Sequence, residues 1–461
     1  MKNLKFTLLF IFSGFFFAQS QNALLQSQQT GQPYSSGKID DFVLASNGTD
    51  VVLVGGNNTT GKLYAIDIAD NNPADAVANT ITQITTLKSK IETVLGVGLV
   101  TIKNIEVNPI SKSVYVLVHT ASASYIAIVK NNGTTITSLN LTNATYCTLN
   151  CSPVNYNFQD LAWGNNTLFI SVASTVLDGE LATMSAPFIH NSTTSNRLTT
   201  MFKSNWGNQY WTDAPLEKMD FNTVSGFDRL SGVTVCAPGF SLKTSTISSS
   251  GLLQITEDFD MNTGTTLKVV AIKQNAVNYL LDLHDDNFSG NYSIYRIGQK
   301  YLDGSQVGAN QYNPNAQILR IAGNPNSALT SAEIYKFAGN YTMMAFFSNC
   351  ELMVLDNAGT LKLLNLANGC STAVIETEKE QKSIGVYPNP ANEFLQISMQ
   401  SNKFETETQI VIQSAEGKEV IRQKLSNNLN QKIDISFLPK GCYLISVESA
   451  SGIVENGKFI K

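Results

Sequence analysis

Short apolar–polar alternations, broken by Gly, Asn, Ser and Thr, run along almost the whole chain. Period-two alternation is the signature of half-buried strands, and the interrupting residues tolerate turn dihedrals. From Ile39 the strands fall into units. The first reads Ile39–Ala45, Asp50–Val54, Lys62–Ile68 and Ile81–Leu87, and the second Ile102–Val107, Ser113–Val118, Tyr125–Val129 and Thr135–Leu141. Later units begin at Phe158, Leu216, Leu267 and Glu333. Helical periodicity is scarce, and only Ala74–Ala78 and Ser89–Leu95 are candidates for short helices.

Each unit holds three or four strands in roughly 50 to 65 residues, too few to bury both faces of its own sheet, and radial stacking solves that problem. The pattern therefore predicts an all-β chain, a six- or seven-bladed β-propeller from 35 to 370. A run of β-sandwiches or a β-solenoid is the rival. Gly61–Asp67 and Val354–Leu361 resemble the outer hairpins of propeller families without singling one out.

Both ends depart from this pattern. Lys2 and Lys5, the apolar run Phe6–Phe17 and the small-x-small triplet Ala18-Gln19-Ser20 read as a signal peptide over 1–20; cleavage after Ala18 is the alternative. A membrane anchor is the competing reading, but that run is short for a hydrocarbon core of about 30 Å. After Cys370 a charged stretch, 371–383, predicts a solvated linker. Short alternating strands then fill 384–461 and predict a small β-sandwich.

Three separated motifs mark this last segment: Tyr387-Pro388-Asn389-Pro390-Ala391, Leu438-Pro439-Lys440-Gly441-Cys442-Tyr443 and Lys458-Phe459-Ile460-Lys461. Together they closely resemble the type A C-terminal sorting domain of the Bacteroidetes type IX secretion system, with Cys442 standing where an aliphatic or small residue is commoner. The resemblance implies recognition by the type IX translocon and sorting machinery. It implies an extracellular or outer-surface location, with the cargo either released or attached to surface lipopolysaccharide. An ordinary adhesive sandwich is the bland alternative.

Composition narrows the rest. Only 15% of residues are charged and the net charge is −5. The charged share is well below the rough quarter usual in soluble domains, and with no basic stripe nucleic acid is excluded as a partner. Export permits disulfides among the six cysteines. Cys147 with Cys151 is the first candidate bridge, and Cys350 with Cys370 the second.

In a propeller, the innermost strands begin beside the central channel. Those starts carry Asp41, Asn104, Asp160, Lys218 and Lys268, while His119 and His284 close second strands. The group predicts a ligand-binding mouth, and His119, His284 and Asp160 also compose a metal-ligand set. Ordinary loop polarity is the competing reading. Asp258, Asp260 and Asn262 alternate as at the start of a calcium loop, but the twelfth position is Val269 instead of an acid. Calcium or another divalent metal is thus the only cofactor class suggested. Phe202, Trp206, Tyr210 and Trp211 cluster where aromatics either stack on sugars or pack a long loop. The functional expectation is a secreted or surface propeller that binds glycan or protein. The alternative is a metal-dependent hydrolase or lyase working at the channel face.

Overall fold

The computed structural model describes residues 22–151, 156–174, 179–194, 196–203, 210–212, 215–234, 238–243, 247, 251–255, 259–260, 264–286, 288–298, 335–366, 382–383, 385–387, 391–398, 408–414, 418–424, 430–449 and 452–461. The expected signal peptide lies outside them. The chain separates into two compact units, Met1–Cys370 and Ser371–Lys461. Both are built from β-sheet, with one α-helix, Leu87–Leu95, among the described residues.

Among the described residues, the first unit holds six sheets of four to six strands and a two-stranded pairing near the N-terminus. They are numbered here by their first strands: I, Asp41–Ser46; II, Thr101–Val107; III, Tyr156–Gly164; IV, Leu216–Asp220; V, Gly264–Gln274; VI, Tyr341–Ser348. These first strands neighbour one another in the cyclic order I, III, IV, V, VI, II and back to I. Sheet II, second along the chain, thus lies between VI and I. Apolar clusters fill the gaps: Leu53, Tyr64, Leu117 and Ile126 join I to II, and Val116, Ala127, Ala345 and Met353 join II to VI.

This order is made by exchanged outer strands. Ala144–Asn150, which follows sheet II, pairs with Lys62–Asp67 on the outside of sheet I. Gln83–Ile84, which precedes sheet II, pairs with Leu361–Lys362 on the outside of sheet VI. Local reading of the sequence assigns Ile81–Leu87 to sheet I, and the structure corrects this. It also moves Tyr335–Lys336 from the head of the last unit to the outer edge of sheet V. Backbone pairing alone does not choose between neighbouring edges, so burial partners distant in sequence decide.

Buried polar bonds hold the crossing segment in place. Asp70 accepts from Tyr115 Oη at 2.8 Å, Ser111 Oγ at 2.9 Å and Lys130 Nζ at 2.9 Å. Burial works to raise its pKa, but these donors prevail and hold the carboxylate below its usual range. Asn79 donates to the Ser111 carbonyl at 2.8 Å and accepts the Asn131 amide at 3.0 Å. Every one of these partners sits on sheet II or its turns.

Cys147 and Cys151 are both buried, and no disulfide joins them. Cys147 lies on the extended strand Ala144–Asn150. At about 3.3 Å per residue, four steps separate the pair far beyond the ~7 Å Cα limit of a disulfide. Cys147 instead packs in the core, its Sγ 3.4 Å from the Gln26 carbonyl. Cys350 is disulfide-bonded, and its expected partner, Cys370, lies outside the described residues.

The second unit has a five-stranded and a three-stranded sheet. One core serves both, with Leu395, Ile397 and Ile433 from the smaller sheet and Ile410, Ile445 and Phe459 from the larger.

Asp70→Ala should destabilise the first unit by about 2 kcal/mol or more, because it leaves the buried Tyr115 hydroxyl and the part-buried Lys130 ammonium without their acceptor. Urea unfolding at neutral pH measures this. A loss under 1 kcal/mol would show that the crossing segment is held by something else.

Candidate functional site

The innermost strands share a device. A β-bulge interrupts the pairing of five of them, between Ile102 and Asn104, Phe158 and Asp160, Leu216 and Lys218, Thr266 and Lys268, and Tyr341 and Met343. A bulge adds one residue, bends the strand and re-aims the side chain that follows. That side chain is Asn104, Asp160, Lys218, Lys268 or Met343, and sheet I supplies Asp41 from the start of its strand. At Gly232, which faces the bulge of sheet IV, a Cβ would lie 1.9 Å from the Lys218 carbonyl oxygen, so a side chain there would force the bulge open.

The re-aimed groups meet. Asn104 Nδ2 donates to Asp41 Oδ1 at 2.7 Å and to the Phe42 carbonyl at 3.1 Å. Lys268 donates to Asn104 Oδ1 at 2.7 Å, to the Ile105 carbonyl at 3.2 Å and to Glu106 Oε1. Lys268 thereby reaches from sheet V to sheet II, past the intervening sheet VI. Asp160 accepts the Met219 amide at 2.6 Å, and Asp220 accepts the Ala271 amide at 2.6 Å, so each carboxyl ties its sheet to the next. Lys218 donates to the Gln159 carbonyl at 3.3 Å. Asn104, Glu106, Asp160, Asp220 and Lys268 line a cavity of about 100 Å3, room for a few waters.

Sequence reasoning places Asp41, Asn104, Asp160, Lys218 and Lys268 at strand starts, and the structure gathers them. It misses Glu106 and Asp220. Each lies two residues beyond a gathered residue, so strand periodicity carries the signal for both.

The electrostatics follow from crowding. Burial raises Asp160 well above the carboxylate range; the nearby Asp41 raises it further, against the pull of Lys218. Burial pushes Asp220 up to about 7. Burial opposes the charge on Lys268, but Glu106 and Asp41 more than offset it and hold the ammonium above its usual range. Four carboxyls therefore face two ammoniums, and the cluster is neutral when Asp160 and Asp220 carry protons.

The histidines stand apart from it. His119 Nε2 lies 2.6 Å from the Ile39 carbonyl. His284 is buried, with Nδ1 3.1 Å from Thr266 Oγ1 and 3.6 Å from Asp282 Oδ2. Asn104 pairs with Leu117, two residues before His119, whereas Lys268 pairs with Leu283, one residue before His284. A one-residue slip turns a side chain to the opposite face, so the two histidines are not equivalent. Among the described residues no group of three His, Cys, Asp or Glu is placed to hold a metal, so His119, His284 and Asp160 do not form the expected ligand set. Asp258 and Asn262 lie outside the described residues, as do Trp206 and the side chains of Asp260, Phe202, Tyr210 and Trp211.

A second recess opens to solvent where the entry segment Gln32–Gly37 meets the Ser122–Tyr125 hairpin and the 138–142 turn of sheet II. It measures about 580 Å3, within the usual range of ligand pockets. Nothing in the strand pattern announces it, because its walls come mostly from loops, with only Ser124, Tyr125 and Ser138 at strand ends.

In the tail, two of the three motifs meet at one corner, beside the residues that follow the first. Lys461 Nζ donates to the Asn392 carbonyl and, at 3.2 Å, to the Ser436 carbonyl. The backbones of Gly441 and Lys461 bond in both directions, at 3.2 and 2.9 Å. Tyr443 stacks on Phe459 at 5.3 Å and donates to the Pro439 carbonyl at 2.8 Å. Tyr387 is exposed. Pro388, Asn389, Pro390 and the Lys458 side chain lie outside the described residues.

Two outcomes test the axial cluster. Asp220 prefers its proton in the folded state, so its contribution is present below the unfolded carboxylate pKa and is lost as pH rises toward about 7. Melting temperature should therefore fall between pH 4 and 7, and Asp220→Asn, which keeps an acceptor for Ala271, should flatten that slope; an unchanged slope refutes the assignment. Lys268→Met should cost about 3–5 kcal/mol at pH 8 by stranding buried carboxylates. The loss should shrink at pH 5, as denaturant titrations at both pH values will show.

No curated protein matches the chain. Among solved structures, Drosophila Semaphorin 2a is 7% identical with a TM-score of 0.27, over 95% of this chain and 98% of that one. The extracellular domain of the putative one component system BT4673 from B. thetaiotaomicron is 11% identical with a TM-score of 0.22, over 92% and 68%. Hsv2 from Kluyvelomyces marxianus is 7% identical with a TM-score of 0.24, over 58% and 93%. Likenesses this faint bear on neither mechanism nor ligand. No described helix is long and apolar enough to cross a membrane. Residues 385–461 match the secretion system C-terminal sorting domain family; this tail is a type IX sorting domain, which sends the protein to the cell surface or the extracellular space.

Proposed function

We propose that the cargo, 35–370, is a six-bladed β-propeller that binds an extracellular ligand, glycan or protein, without transforming it. The linker 371–383 joins it to the sorting domain that the export machinery reads. After export the cargo is either released or attached to surface lipopolysaccharide. The cyclic order of the six first strands supports the blade count.

One contrast carries the binding assignment. The axial recess is small and occupied by ion pairs that tie the sheets together, whereas the recess beside Gln32–Gly37 is several times larger and open. A ligand at the axis would have to displace Lys268 from three partners. A ligand in the open recess displaces water.

Thermal-shift titration of the mature protein against fractionated surface polysaccharides and peptides should give saturable stabilisation. Ser35→Trp, which fills the open recess, should abolish it, and Asp220→Asn should leave it intact. Loss with Asp220→Asn but not Ser35→Trp would return the site to the axis. Steady turnover of any stabilising compound would make the protein an enzyme.

A further inference from the structure

The open recess has an unusual composition. None of its thirteen lining residues is Asp, Glu, Lys, Arg or His; seven carry a hydroxyl and two an amide. Lys38, which follows Gly37, has its ammonium engaged by the Thr120 and Ala121 carbonyls at 2.8 and 2.9 Å. Hydroxyls and amides each donate and accept, as sugar hydroxyls do. Leu139, Leu141 and the ring of Tyr125 supply apolar area beside them.

The walls are also fixed in advance. Ser124 Oγ accepts the Ile39 amide at 2.9 Å and bonds Tyr34 Oη at 3.2 Å, which pins the entry segment to the hairpin. The Tyr34 ring packs on Tyr64 at 5.4 Å. The Ala123 amide donates to Thr120 Oγ1 at 3.0 Å, and the Thr142 amide to Asn140 Oδ1 at 2.9 Å. A preset wall reduces the ordering cost that weak polar contacts must offset.

We propose that this recess binds an uncharged oligosaccharide. The inference rests on the recess being the binding site and adds the ligand's chemistry. An acidic or basic ligand would leave its charge unpaired there, at a desolvation cost. A peptide would gain most by adding a strand, but Thr135–Ser138, the outer strand of sheet II, is flanked by the helix Leu87–Leu95.

The test uses the mature protein on an array carrying neutral and acidic glycans beside a peptide library. Binding confined to neutral glycans is expected, and calorimetry with the best of them should give the same affinity in 50 mM and 500 mM NaCl, since salt screens only charges. Ser122→Trp should weaken it at least tenfold without lowering the melting temperature. Tyr125→Ala should weaken it as much but also lower the melting temperature, because the ring packs against the core joining sheets II and VI. Tyr34→Phe should weaken it less than Tyr34→Ala. Acidic glycans bound with affinity that falls in high salt would overturn the ligand class, as would no glycan bound at all. Peptides captured instead, and lost with Ser122→Trp, would leave the recess as the binding site and reject the sugar. Any binding that survives Ser122→Trp would reject the recess itself.

Discussion

A buried ammonium that reaches from sheet V to sheet II past sheet VI constrains the ring more than any apolar contact does. Lys268 must keep Glu106, Asn104 and the Ile105 carbonyl within reach at once, or its charge is stranded in a cavity that holds only a few waters. Apolar packing between sheets tolerates small slides; a charge with three fixed partners does not. The Met219 and Ala271 amides, each donated to the carboxyl of the preceding sheet, extend the same constraint around III, IV and V. Replacing such a network by well-packed apolar residues is often neutral or stabilising, so its role here is to set the position of the innermost strands.

Those exchanges explain how a chain that builds sheet II second can insert it between the last sheet and the first. The outer strand of VI comes from before sheet II, and Ala144–Asn150, from after it, joins sheet I between Lys62–Asp67 and Gln29–Gly31. Sheet II is thus flanked on both sides by sheets whose edges its own connections complete. Closing a long loop adds only slowly to the entropic cost as length grows. Asp70, Asn79 and their partners on sheet II then hold the crossing segment locally.

The sequence was legible wherever one strand decides the outcome. Period-two alternation found the innermost strands, and a polar residue near the start of each found Asp41, Asn104, Asp160, Lys218 and Lys268. Legibility failed where the deciding partner lies far along the chain. Ile81–Leu87 reads as a strand of its own unit, yet two of its residues cap sheet VI and Leu87 opens a helix. The histidines look equivalent until the register is counted from Asn104 and Lys268, which puts His119 one residue further along its strand than His284. Cys147 and Cys151 look close until the segment between them is seen to be extended. The open recess, gathered from three segments separated in sequence, has no period to read.

The low charge content acquires a meaning from this arrangement. A chain with few charges has concentrated six of them at the axis of its ring, where four carboxyls and two ammoniums approach neutrality by retaining protons. The open recess is left with no charged side chain in its lining. The two regions therefore respond to different variables. Raising the pH through 7 ionises Asp220 and leaves a buried charge near that of Glu106. The recess, formed by sheet II and the entry segment, has no lining group that titrates near neutral pH. A protein built this way keeps the recess lining uncharged while its margin of stability moves with acidity, a separation suited to a molecule that leaves the buffered cell.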